Sequence, residues 1–360
     1  MLLTVGSSVM DADGNVYVLD EIIGQGGFGY VFKAHREIDN YVFAIKTMLP
    51  SFGKTSAAEA FKNEIQSAVG VRGENIIHYE FVHNGDAFCQ LPPYIIMEYA
   101  DGGTLSSVLE YRQQLGKEFD VAALLVYFKQ LATGMNVINR SLVHRDIKPE
   151  NILLCGNTLK ISDFGLAKIA VENTRTMTFK GSGTSLYMAP EAWDYSKNTF
   201  QMDIYSMGIV FYELATLHYP YEPKPHTYEE CKHAHMLSAP TSINKYNPSL
   251  PSNLVSVINR MLEKSIKRRF TNWQELLELL DRQIEPDSSL DRIAAMAVSA
   301  MNAEDSARQR QESERQQKVR EKSEFCQRVR SQFDNDIVTP IVKLAEEINA
   351  QYAGLNKIDF

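Results

Sequence analysis

Eight consecutive residues, His144-Arg145-Asp146-Ile147-Lys148-Pro149-Glu150-Asn151, bring together a candidate base (Asp146), two cations (Arg145 and Lys148) and an amide suited to a hard metal ion (Asn151). Downstream, Asp163-Phe164-Gly165 adds a second carboxylate that suits such an ion. Upstream, Gly24-Gln25-Gly26-Gly27-Phe28-Gly29 reads Gly-x-Gly-x-x-Gly. Backbone N–H groups near Gly24, Gly26 and Gly29 can approach a phosphate closely because no Cβ intervenes. Lys46 ends an apolar run. A lysine there ordinarily reaches solvent, yet at this distance after a glycine turn it also suits a phosphate-binding ammonium. Glu64 has the pattern of a solvated helical charge and is also placed to pair with Lys46. Anion handling, metal-binding oxygens and an oriented acceptor for a hydroxyl proton are what transfer of a γ-phosphoryl group requires.

The surrounding pattern says what must position these groups. Strand-like runs at 16–19 and 21–23 enter the glycines and another at 30–34 leaves them, so the glycines sit at a hairpin tip. A dinucleotide-binding fold would place a helix after them instead. The pattern predicts further strands at 41–46, 76–82 and 94–99, with a helix over 56–69 on which Phe61, Ile65 and Ala68 share a face. Ala100-Asp101-Gly102-Gly103 breaks this regime and marks a boundary. Beyond it come helical patterns over 105–115 and 121–139, then short strands at 152–154 and 159–161. A Thr/Ser-rich loop runs to Ala189-Pro190-Glu191, and helices follow over 203–217, 255–264 and 273–284, the first apolar enough to be buried. Past Pro286 the composition shifts to a polar, charged stretch at 303–324, after which Phe325, Val329, Phe333 and Ile337 recur every four residues. Such a stretch reads as a solvated linker helix leading into a short amphipathic one, or as a dimerisation or docking element.

Composition narrows the classes. Of 360 residues 44% are hydrophobic and 23% charged, as expected of a globular chain. The net charge of −8 argues against nucleic acid as the main partner. No run of about 18 apolar residues suggests a membrane span, and the first residues lack the pattern of a secretion signal. Four scattered cysteines, Cys89, Cys155, Cys231 and Cys326, read as reduced thiols, so a cytoplasmic location is expected. Cys231, His233 and His235, with His226 nearby, hint at a metal but lack a second matched pair; helical surface histidines are commoner.

In order along the chain, the glycine loop, Phe43-Ala44-Ile45-Lys46, Glu64, the 144–151 loop, Asp163-Phe164-Gly165, Ala189-Pro190-Glu191 and Asp203-Ile204-Tyr205-Ser206-Met207-Gly208 resemble the motifs of eukaryotic-type protein Ser/Thr kinases, over about 16–284. The resemblance implies an α+β, bilobal fold: a small, mainly β N-lobe (1–100), a larger, mainly α C-lobe (101–285) and a helical C-terminal extension (286–360). It implies ATP with Mg²⁺, or Mn²⁺ in its place, and protein substrates with Ser or Thr acceptors. By resemblance, Asp146 is the catalytic base, with Lys148 and Thr184 beside it. Lys46 holds the α/β-phosphates, steadied by Glu64, and Asn151 and Asp163 are the metal ligands. Gln25, Gly27 and Phe28 belong to the phosphate-covering loop. Val31, Ala44 and Leu153 sandwich adenine, Met97 is the gatekeeper, and Glu98 and Ala100 form the hinge. Lys148-Pro149-Glu150-Asn151 and Thr184 are similar to the Ser/Thr version of the family. Arg269 is the better partner for Glu191, with Arg268 adjacent. Arg145 and Lys168 are similar to residues that receive an activation-loop phosphate, here on Thr174, Thr176, Thr178 or Ser182. Glu150 and Glu229 resemble acidic positions that favour basic residues near the acceptor. A catalytically weak pseudokinase acting by binding is the alternative, disfavoured by the presence of Lys46, Asp146, Asn151 and Asp163. A small-molecule kinase is disfavoured by Ala189-Pro190-Glu191 and the peptide-docking region around Thr184. The Phe325, Val329, Phe333 and Ile337 stripe suggests a homodimer through 286–360.

Overall fold

The computed structural model describes residues 3–26, 29–47, 69–84, 91–164, 183–193 and 199–282, with 339, 340, 342, 343 and 346 near the C-terminus. The chain divides into two units, 1–299 and 300–360. The few described residues of the second are helical; the apolar stripe expected at 325–337 and the polar stretch before it lie outside the described residues.

A six-stranded antiparallel sheet, in the order β1-β2-β3-β4-β6-β5, fills the N-terminal part. Its strands are β1 (Ser8–Met10), β2 (Val16–Gly26), β3 (Gly29–Arg36), β4 (Val42–Thr47), β5 (Tyr79–His83) and β6 (Tyr94–Glu98). Strands β2 and β3 form the expected hairpin, closing with Gly26 opposite Gly29. Gly29 takes a φ of 155°, a conformation that residues with a Cβ rarely adopt. Side chains alternate across a pleated sheet, and here both faces are covered. Phe43 and Ile45 of β4 and Tyr94 and Ile96 of β6 pack with Val9, Tyr17, Leu19, Phe32 and Ala34 in an outer core. The intervening residues Ala44, Ile95 and Met97 join the large core shared with the helices. Lys46 is two residues from Ala44 and therefore shares its inner face.

The expected strand over 76–82 begins only at Tyr79. The preceding residues are claimed by another ribbon: Ile76 bridges Ile161, the Ile77 N–H donates to the Ile161 carbonyl at 2.9 Å, and the Asn75 amide donates to the Leu159 carbonyl at 3.1 Å.

The C-terminal part is helical: the periodicity predicts α1 (Leu105–Leu115), α2 (Val121–Ile138), α4 (Phe200–Thr216), α6 (Ser252–Met261) and α7 (Trp273–Arg282), and the structure adds a short α3 (Pro190–Trp193) and α5 (Tyr228–Leu237). The Thr104 hydroxyl and the Asp120 carboxylate cap α1 and α2, and Thr227 with Glu230 forms a reciprocal capping box on α5. Among the described helices α2 is long and apolar enough to cross a membrane by length and composition. Its apolar face, including Leu124, Phe128, Leu131 and Met135, lies in this core. Helix α4 is buried on all sides from Met202 to Thr216. A helix so enclosed must satisfy every polar side chain internally. Ser206 donates to the Tyr187 carbonyl (2.7 Å), Thr216 to that of Tyr212 (2.7 Å), and Glu213 accepts from the Tyr187 hydroxyl (2.7 Å).

Candidate active site

The 144–151 loop is fixed from below by the first turn of α4. Asp203 is fully buried, and its carboxylate accepts from the His144 N–H, the Arg145 N–H (both 2.8 Å) and the Asn139 amide (2.7 Å). Burial pushes the Asp203 carboxyl above its ordinary range, opposed by those donors and by His144. Arg145 takes a left-handed φ of 67°, so the chain turns sharply just before Asp146. His144 is buried between two backbone groups: its Nε2 meets the Ser162 carbonyl at 3.0 Å, and its Nδ1 meets the Asp146 N–H at 3.3 Å.

Asp146 is thereby held at its backbone, and its side chain is half-committed. Its Oδ2 accepts from the Asn151 amide at 2.9 Å and meets the Lys148 ammonium at 3.1 Å. Its Oδ1 is buried and accepts no hydrogen bond among the described residues. The other Asn151 amide hydrogen goes to the Asp146 carbonyl at 2.7 Å. Both hydrogens are thus spent within the loop, leaving the Asn151 amide oxygen for a cation.

A short hairpin brings the second oxygen ligand alongside. Strands β7 (Ile152–Cys155) and β8 (Thr158–Ile161) are joined through Gly156-Asn157, with Gly156 in the left-handed region (φ 56°) that a two-residue turn requires. Ile152 pairs with Ile161, so the residues just outside the pair, Asn151 and Ser162-Asp163, emerge together. Ser162 ties the open end shut by donating both N–H (2.8 Å) and hydroxyl (3.0 Å) to the Asn151 carbonyl. Asp163 has a φ of 61°, and its N–H donates to the Tyr79 hydroxyl at 3.0 Å. The Tyr79 ring stacks on buried Phe164 with centroids 4.8 Å apart.

Lys46 reaches Asp163 from β4, its ammonium donating to both carboxylate oxygens at 2.8 Å. Burial would push the Asp163 carboxyl up, but Lys46, His144 and Lys148 outweigh it and hold the group below its ordinary value. The carboxylate therefore stays ionised at neutral pH, as a hard metal ligand must. The oxygens of Asn151 and Asp163, with a flanking ammonium, form a donor set that fits Mg²⁺ and a phosphate chain.

The proposed adenine contacts lie on the same inner face. Val31 pairs with Lys46 and Ala44 with Met97 in the sheet register, and Val31 and Leu153 pack against the core that contains Ala44 and Met97. The Glu98 N–H is already taken by the His78 carbonyl at 2.9 Å, and its carboxylate by Lys160 at 2.7 and 3.0 Å. Of the glycine loop, Gly27 and Phe28 lie outside the described residues, as do Glu64, Lys168, Thr174, Thr176, Thr178 and Ser182; the Thr184 side chain is likewise outside them. The pairing of Glu64 with Lys46 and the activation-loop sites thus have no place in the described geometry. Glu191, however, meets Arg269 as expected, through two hydrogen bonds of 2.6 and 2.8 Å in full burial.

Three features were not foreseen from the residue pattern: the anchoring role of Asp203, the Tyr79 clamp on Asp163, and the burial of Glu213. For Asp203 and Glu213 the signal was there, since a carboxylate inside an otherwise apolar helix needs internal donors. Tyr79 gave none, because an aromatic in a strand is ordinary. The hinted metal cluster does not form. His235 is buried and bonded to two tyrosines, and no group of three potential metal-binding His, Cys, Asp or Glu residues occurs among the described residues.

Comparison with known proteins agrees with this geometry. The family model described as "Protein kinase domain" matches residues 17–280. A probable serine/threonine-protein kinase of Clostridium acetobutylicum is 33% identical over 270 residues, covering 74% of this chain and 39% of the relative. The serine/threonine-protein kinase PknA of Corynebacterium glutamicum is 32% identical over 272 residues, 72% of this chain and 54% of its own. The interferon-induced, double-stranded RNA-activated protein kinase of Rattus norvegicus is 35% identical over 215 residues, 54% of this chain and 40% of its own. The chain thus spans between two fifths and just over half the length of these relatives. Since the match runs from the first strand of the glycine hairpin to the last described helix, and so contains every element that positions Lys46, Asp146, Asn151 and Asp163, the chain belongs to the protein kinase domain family.

Proposed function

We propose that this chain is an active protein serine/threonine kinase that transfers the γ-phosphoryl group of ATP to Ser or Thr hydroxyls of proteins. The observation that carries the reading is the division of labour at Asp146: one oxygen is clamped by Asn151 and Lys148 while the other is buried and accepts nothing from the described residues. A buried carboxylate oxygen without a donor is costly unless a substrate supplies one. A hydroxyl donating to Oδ1 would be oriented for attack and have its proton accepted there. Lys148 would offset charge developing on the transferred group. Asn151 and Asp163 would hold Mg²⁺, which neutralises phosphate charge when bound. Lys46, released from Asp163 in part or whole, would reach the nucleotide phosphates. Val31, Ala44, Met97 and Leu153 would enclose the adenine, with the hinge backbone around Glu98 and Ala100 beside it.

Names of the relatives support Ser/Thr acceptors. Activation by phosphate on Thr174, Thr176, Thr178 or Ser182, received by Arg145 and Lys168, a preference for basic residues through Glu150 and Glu229, a cytoplasmic location and self-association through 286–360 are parts of the same proposal. Radiolabelled ATP with Mg²⁺ and a generic protein substrate tests its centre. Label transfer lost by at least about 10²-fold in Asp146→Ala, and lost also in Asp163→Ala, is the expected result. ATP binding by the unaltered chain without any transfer would instead establish the binding-only alternative.

A further inference from the structure

Beneath the 183–187 turn lies a chain of hydrogen bonds that the catalytic reading does not use. At one end, the Lys264 ammonium lies 2.6 Å from the Tyr221 hydroxyl, 3.3 Å from that of Tyr205 and 3.1 Å from the Ala234 carbonyl. The Tyr221 and Tyr205 hydroxyls are 2.6 Å apart, and Tyr205 is 3.0 Å from Nδ1 of His235. Nε2 of His235 is 3.1 Å from the Tyr219 hydroxyl, which reaches the Leu186 carbonyl at 2.5 Å. His235 and Tyr205 are fully buried, and Tyr219 and Tyr221 nearly so.

The carbonyl end, with a neutral His235, fixes the direction of every bond. A carbonyl only accepts, and although burial lowers the Lys264 ammonium to about 7, its amine still has hydrogens to donate. Lys264 therefore donates to Tyr221, Tyr221 to Tyr205, Tyr205 to Nδ1, Nε2–H to Tyr219, and Tyr219 to Leu186. Each hydroxyl has one proton, so reversal at any link strands a buried donor or leaves the Leu186 carbonyl without its partner. The scheme requires a neutral His235 with its proton on Nε2. Burial, reinforced by Lys264, lowers the His235 imidazolium to about 3, so the neutral ring persists at physiological pH. Leu186 belongs to the turn whose next residue, Tyr187, is itself held by Ser206 and Glu213.

We infer that His235, acting through Tyr219, is a positioning residue that sets the Leu186 carbonyl and with it the segment on which an acceptor peptide docks. This rests on the kinase reading for the word "docks", but the relay itself does not. The Cys231, His233 and His235 spacing points to a metal and not to this role, because the network's members come from α4, α5, the turn after α4 and the segment after α6.

Two measurements test it on the full chain. The first is the ¹⁵N shift pair of His235. A proton on Nε2, unchanged from about pH 5 to pH 8, is expected; an Nδ1–H tautomer or an imidazolium in that range overturns the relay whether or not the chain is a kinase. The second is steady-state kinetics with a phosphorylatable peptide. Tyr219→Phe and His235→Leu are expected to raise the peptide KM about 3- to 10-fold, the worth of one net hydrogen bond. KM for ATP and kcat should stay within about twofold. His235→Gln, whose amide can donate to Tyr219, is expected to recover much of the loss. Unchanged peptide KM in Tyr219→Phe, or equal changes in both KM values, overturns the docking role. Absence of transfer by the unaltered chain overturns the kinase reading and the docking role together, while the tautomer still decides the relay.

Discussion

The Glu191–Arg269 pair shows what one contact does once it leaves water. Arg269 is wholly buried, and besides Glu191 it donates to the carbonyls of Glu263 (2.7 Å), Gln201 (2.9 Å) and Lys264 (3.1 Å). A buried pair gains little over an apolar substitute, but removing one partner leaves a charge with nothing to meet it. Arg269→Met is therefore expected to cost about 3–5 kcal/mol by denaturant midpoint, and adding Glu191→Gln should restore part of that loss. A double variant no more stable than Arg269→Met contradicts the account. From the sequence, Arg269 is the better partner for Glu191, with Arg268 adjacent. Packing chose Arg269 because it points inward, while Arg268 reaches Glu263 at the surface, at 3.9 Å.

Helix α4 explains why element boundaries and partners were unequally readable. Its apolar run made burial plain, and its limits, Phe200 and Thr216, lie close to the expected 203 and 217. What the run did not reveal is which neighbour approaches most closely. A Cβ on Gly208 would meet the Met261 Cβ at 2.8 Å and Leu262 Cδ2 at 3.1 Å. Glycine here serves close approach of α4 to the end of α6. Gly208→Ala is accordingly expected to destabilise by about 1–3 kcal/mol through overpacking, without altering the far-ultraviolet spectrum; a gain from relieved backbone entropy would refute this. The strand misplaced at 76–82 has the same origin. Ile76 and Ile77 carry strand propensity, but Asn75 and the β7–β8 ribbon compete for their backbone, and propensity yields to tertiary pairing.

Across the molecule, buried ionisable groups give stability a dependence on pH. Burial pushes the Glu213 carboxyl up to about 7, against the Tyr187 hydrogen bond and Lys224 that favour its anion. The folded chain then holds a proton that the unfolded chain releases near the ordinary value of 4.5. Its contribution is full below that value and is lost as pH rises through about 7. Thermal melting of the unaltered chain relative to Glu213→Gln should therefore fall between those values; a flat difference would show the carboxyl to be ionised throughout. The relative ease of reading this chain, motif by motif, came from residues whose chemistry is local. Glu213 and His235 owe their roles to partners from distant segments, which spacing cannot report.

One sheet serving two cores has a thermodynamic consequence. The outer cluster around Tyr17, Phe32 and Phe43 and the inner one around Met97 and Phe128 are opposite sides of the same strands. Neither can lose its wall without exposing the other's. The small β part is therefore no separate melting unit, and the described domain should unfold all at once. Fluorescence of Trp193 and Trp273, both buried among the helices, and amide exchange in β1 and β2 should report a single shared transition, despite having no residue in common.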